Sequence, residues 1–308
     1  MQTAPPTGGA LVQSVGLCLV IDALEFTQVR SSFLLFALFF CLLNYSFVCE
    51  FTQPFANAAL MPKWRDAVCA AASSPDAQLR QASSYGVGVL AMHGGAAFAP
   101  AALAMLATLR GAITAEGALS EEHGLATDNA IVAYGKLLRF QGGALGLGAC
   151  SALSPGGASP GASSPGAGAG AGAGADPVGT WASWLPLRFD AIEAQALHRL
   201  LVGVIVRVAM LGQPESALPP IAAEVTRTEA AFILGAQMSH LPALLSALGR
   251  ALAYATSAEA AASGEEVMDE EALQIGSQCL GMAAGGGESA LQAAAAKLDP
   301  RERGSWAV

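Results

Sequence analysis

Basic residues are scarce in this chain. Its 308 residues hold 15 Lys and Arg against 24 Asp and Glu, a formal net charge of −9. A nucleic-acid surface needs clustered Lys and Arg, so that class is set aside first. The strand formers Ile, Thr and Tyr are sparse while alanine dominates, which favours helix over sheet. The cysteines Cys18, Cys41, Cys49, Cys69, Cys150 and Cys279 lie far apart, with no Cys-x-x-Cys and no His at metal-ligand spacing. That pattern fits reduced, buried thiols of an intracellular protein better than a disulfide framework or a metal site. His93, His123, His198 and His240 are isolated, with no nucleophile or carboxylate implied as partner. The Gly-rich run Ala167 to Ala175 lacks the Lys-Ser/Thr of a phosphate loop, and no strand precedes it. The expectation is therefore a protein that binds rather than catalyses, with no cofactor.

What is present is a repeat. The stretch from Arg80 to Gly95 carries Tyr85-Gly86-Val87-Gly88, and a weaker copy from Asp128 to Gly143 carries Ala133-Tyr134-Gly135-Lys136. Each run is apolar and helical and each closes on a Gly-Gly pair. Gly88 and Gly135 lie about 47 residues apart, at the long end of the roughly 40–47 residue period of HEAT and armadillo arrays. Each unit of such an array is a pair of antiparallel helices that cannot bury its apolar face alone, so neighbours stack. The fold class expected is all-α, an α-solenoid of HEAT/armadillo-like hairpins.

Along the chain, residues 1–10 are Pro, Thr and Gly rich and read as disordered. Leu11 to Phe26 has a helical apolar pattern. Ser31 to Cys49 holds no charge and is apolar on every face, long enough for a membrane span, since about 18 such residues suffice. The same segment also reads as an insertion over 29–53, because Phe-Thr-Gln recurs at 26–28 and 51–53. Removing Val29 to Gln53 leaves one unbroken hairpin. From Pro54 the pattern predicts a helix to Ala72, disturbed at Pro62. Asp76 then caps a helix over 77–92 that stops at Gly94-Gly95. A first helix over 98–115 and a partner opening at Ser120 and running to Phe140 complete residues 11–140 as HEAT-like repeats. Residues 141–180, Gly/Ala-rich through Ala175, read as a flexible disordered linker. Further HEAT-like helices follow over 181–300, at 189–211, 215–237, 240–257, 270–284 and 288–298, with an acidic break at 258–270 and a frayed terminus at 301–308.

Four blocks, in order, carry a family resemblance. Ser74-Pro75-Asp76-Ala77-Gln78-Leu79-Arg80-Gln81-Ala82-Ser83-Ser84-Tyr85-Gly86-Val87-Gly88-Val89 resembles the carboxy-terminal HEAT repeats of the importin beta-3 type of karyopherin-beta. Cys18-Leu19-Val20-Ile21-Asp22 looks like the helix before that repeat. Ala126 to Leu137 is similar to the second helix of the next one, and Trp181-Ala182-Ser183-Trp184-Leu185-Pro186-Leu187 to the segment after it. The blocks span roughly 18–210, and beyond that the match is loose. The resemblance implies a superhelical nuclear import receptor that carries protein cargo between cytoplasm and nucleus and contacts Phe-Gly nucleoporins in grooves between first helices. The amino-terminal repeats that bind Ran-GTP in such receptors have no counterpart, so Ran binding is not expected. Two other readings stand beside it: a membrane-anchored helical scaffold with one span at 31–49, and a truncated transport-receptor fragment without function of its own.

The same resemblance marks positions. Asp76 and Arg80 fit a HEAT habit in which an Asp opens the second helix and an Arg follows one turn in, forming a ladder between repeats. Gly88 and Gly135 permit close helix packing. Trp181 and Trp184 fall on one helical face and anchor the next repeat. Asp128, Asn129 and Lys136 lie on the second helix, the concave side in this family, and are the candidate cargo contacts.

Overall fold

The computed structural model describes residues 61–153, 176–285, 289–304 and 306. The stretch at 1–10 expected to be disordered, the helical pattern at 11–26, the expected insertion at 29–53 with its candidate span, and residues 154–175 of the expected linker lie outside the described residues. Those described are all-helical, with no strand among them. They fall into two units, divided between Ala144 and Leu145.

The first unit contains α1 (Met61–Ala71), α2 (Ala77–His93), α3 (Gly95–Ile113) and α4 (Gly124–Phe140). Helix α2 starts where Asp76, in extended backbone, accepts from the Leu79 N–H at 3.0 Å. It ends at Gly94, whose N–H returns to Leu90 O. Gly95, at φ +47°, turns the chain directly into α3, so one Gly-Gly pair closes one helix and opens the next. Helix α4 opens at Gly124 rather than at Ser120, because residues 120–123 form a turn in which Ser120 O accepts from His123 and Gly124.

Helix α2 packs against α1, α3 and α4, so nearly every residue from Ser83 to Ala91 is buried. Ser83 Oγ donates to Val68 O at 2.6 Å, tying α2 to α1. Two contacts fix the direction of α4 on α2. Near their starts Arg80 Nη2 lies 3.3 Å from His123 Nδ1, and at their ends Gln141 Nε2 donates to Ala91 O at 2.8 Å. The two second helices therefore run parallel, in step along their length. Gly88 marks a close approach between them: a Cβ there would stand 2.9 Å from Lys136 Cδ.

Helix α3 buries Phe98, Ala102, Met105, Leu109 and Ile113, a stripe at steps of three and four. Its opposite side exposes Leu103 and several alanines. Among the described residues it alone is long and apolar enough to cross a membrane by length and composition, with mean hydropathy 1.5 over a window that is 33% buried.

The second unit is built on α6 (Ala191–Ala209), preceded by α5 (Pro177–Ser183). Around α6 lie α7 (Pro220–Ala223), α8 (Arg227–Leu234), α9 (Leu241–Ala255), α11 (Glu270–Ala284) and α12 (Ala290–Ala295). Between α9 and α11 runs the short α10 (Ala258–Ser263), and α13 (Pro300–Gly304) closes the chain. Arg199, Gly203 and Arg207 form one stripe on α6, four residues apart, that clasps the 221–225 segment. Arg199 reaches Glu224 at 2.8 Å and also Asp269 and Glu271. A Cβ on Gly203 would lie 2.6 Å from Ile221 O. Buried Arg207 donates to Ala222 O at 3.0 Å and to Val225 O, and holds both oxygens of Glu215.

Several boundaries differ from expectation. Two described stretches placed in the expected linker over 141–180 are ordered by packing or capping: Leu145, Cys150 and Leu153 are buried, and α5 begins at Pro177 under an Asp176 cap. The single helix expected over 215–237 is broken, because Pro219 and Pro220 interrupt it and Gly235, at φ +69°, ends α8. The acidic break at 258–270 contains α10, capped by Ser257 and stopped by left-handed Gly264. The terminus expected to fray is helical at 300–304, and Trp306 is buried over Gly249.

Candidate functional site

Within the first unit a cleft of about 490 Å³ opens between the carboxy-terminal ends of α1 and α3. Its walls are small residues, among them Ala72, Ala107, Gly111 and Ala115, and its polar lining comes from Arg80, Ser84, His123, Thr127 and Glu116. Small side chains on both walls leave the backbone approachable to an extended segment.

Arg80 is placed by the fold rather than by a carboxylate. Its Nη1 donates to Ser74 O at 2.9 Å and to Pro75 O at 2.8 Å, closing the α1–α2 turn. An arginine only donates, so His123 Nδ1 accepts from Nη2, which puts the proton of a neutral His123 on Nε2. Among the described residues no Asp or Glu pairs with Arg80, although Arg199, Arg207 and Arg250 each have one. Thr127 Oγ1 donates to Ala118 O at 2.6 Å and His123 O at 3.1 Å, fixing the loop that carries His123.

The positions marked in the sequence fall in different places. Asp76 caps α2, and Arg80 reaches His123 on the next hairpin, so the link between hairpins is arginine to histidine rather than an Asp–Arg ladder. Asp128 and Asn129 are buried, at 2% and 5% exposure, and Asn129 Nδ2 donates to Leu125 O. Both lie buried in α4, so neither side chain is exposed to a partner in this structure. Lys136 is half-buried, with its ammonium 5.4 Å from the centre of the Tyr85 ring. Gly135 is buried in α4. Trp181 is fully buried in the second unit, while Trp184, at the end of α5, is half-buried. Cys69, Cys150 and Cys279 are free thiols, and burial pushes Cys69 and Cys279 up to about 11.

Sequence reasoning passed over His123, Ser84 and Gly111 as cleft residues. His123 looked isolated because its partner is 43 residues away. The one available signal was that Arg80 and His123 each sit near the start of a second helix in successive units. No family model matches the chain, and no curated protein matches it either.

Proposed function

We propose that this protein is a HEAT/armadillo-like α-solenoid scaffold related to the carboxy-terminal repeats of importin beta-type nuclear transport receptors, working by binding rather than catalysis. The observation that carries the reading is the arrangement of the first unit. Two helical hairpins stack with their second helices parallel and their first helices side by side, which is how neighbouring repeats bury a shared face. That stacking leaves the cleft between α1 and α3 open, between first helices, where the resemblance puts contact with Phe-Gly nucleoporins. Protein cargo is the second partner, and its contacts are to be sought on exposed residues, not on Asp128 or Asn129. The chain works in cytoplasm and nucleus.

The test is a pull-down of the full chain on Phe-Gly repeat protein, with Ran-GTP as a separate bait. Expected are retention on the Phe-Gly bait, none on Ran-GTP, and loss of retention in Gly111→Leu. A Cβ on Gly111 meets nothing within 4 Å, so a larger side chain there enters the cleft without disturbing the fold. A folded chain that fails to bind the Phe-Gly bait removes the transport reading.

A further inference from the structure

Arg80 is the unusual residue of the first unit. A guanidinium offers five N–H donors, and the structure commits three: two from Nη1 to Ser74 O and Pro75 O, and one from Nη2 to His123. The Nε–H and one Nη2–H are left without a protein partner among the described residues. They sit on adjacent nitrogens, the spacing that matches the two oxygens of a carboxylate. Arg80 lines the cleft and is half-buried. A cation held partly out of water with no counter-ion is costly unless something compensates it. Arg199, by contrast, holds three carboxylates.

We infer that the cleft takes an acidic side chain, an Asp or Glu carried on an extended segment of a partner protein, with Arg80 as its bidentate counter-ion. His123 accepts from Nη2 and holds the guanidinium in place, and Ser84, in the cleft lining, offers a hydroxyl for the segment's backbone or carboxylate. The Ala and Gly walls admit the main chain to either side. The first turn of α4, at His123, has no side-chain cap and borders the same space. Glu116 at the rim bears a like charge, so the acidic residue has to enter past it to Arg80 rather than rest at the mouth. This inference rests on the reading of the cleft as a docking site and names the residue type that anchors there.

The test uses the full chain and two peptides, acetyl-Gly-Ala-Glu-Ala-Gly-amide and its twin with Gln in place of Glu, titrated by NMR. The Glu peptide is expected to saturate and the Gln twin to bind at least tenfold more weakly. Arg80→Gln should erase the difference, and Gly111→Leu, which leaves every Arg80 hydrogen bond intact, should abolish binding of both. Raising salt should weaken only the Glu peptide. Equal affinity for the twins overturns the carboxylate anchor while leaving a docking cleft in place. Absence of saturable binding by either peptide likewise overturns the carboxylate anchor, while retention on the Phe-Gly bait decides the docking reading separately.

Discussion

His198 and Arg207, both on α6, show how single buried polar groups set the response of the second unit to acid. His198 is fully buried, its Nδ1 donating to Val267 O at 2.8 Å, and desolvation lowers its pKa to about 4. The folded value lies below the ordinary 6.5, so the neutral ring's contribution is complete above that pH and is lost as pH falls toward 4. The loss is on the order of 3 kcal/mol, from about 1.4 kcal/mol per pKa unit. Thermal melting of the full chain should decline across that window, and His198→Gln should flatten the decline. A variant melting curve with the same slope would contradict the assignment. Glu215 acts lower on the scale: hydrogen bonds from Arg207 and Arg227 bring its pKa down from 4.5 to about 2. Its contribution is complete above 4.5 and disappears as pH falls through about 2. Arg207→Met should remove most of that lower window. At neutral pH it should also cost roughly 1–3 kcal/mol for the Val225 carbonyl left unpaired, measured by urea unfolding, while Ala222 O keeps the Val225 N–H.

Elements meet in this protein through glycines as much as through large side chains. Gly203 lets α6 approach the carbonyl of Ile221 so closely that Gly203→Ala should destabilise by about 1–3 kcal/mol through overpacking. Gly111→Ala, in open space on α3, should be neutral or stabilise by up to about 1 kcal/mol through helix propensity. Denaturant midpoints for the two variants test the contrast, and equal shifts would contradict it. Helix α2 was legible in the sequence because Asp76 and Gly94 are local signals that act on their own backbone. Helix α4 was placed four residues early because Ser120-Glu121-Glu122 resembles a cap, while the backbone there turns once before the helix begins. The helix expected over 215–237 failed because periodicity was followed across Pro219-Pro220 and Gly235, where the backbone cannot continue. The Arg199–Gly203–Arg207 stripe went unread, because its purpose depends on the segment it clasps.

At the scale of the whole molecule the described residues are all-helical, which suits the scaffold role proposed. Composition announced the helices, since little in the chain favours strand. Gly88 and Gly135, picked out by their spacing, sit on two helices, α2 and α4, that pack together. The cleft was not legible, because a space between helix ends leaves no mark in periodicity. Arg80, picked out as one rung of a ladder, instead lines a cavity beside His123. Asp128 and Asn129, assigned from the sequence to an open surface, are buried, which periodicity alone does not reveal. The central claim is that stacked hairpins expose a docking cleft between first helices, and it is tested most directly by retention of the full chain on Phe-Gly repeat protein, compared with Gly111→Leu shown by circular dichroism to be equally helical. The account predicts retention of the native chain and at least tenfold less of the variant. Equal retention of both, or of neither, would contradict it.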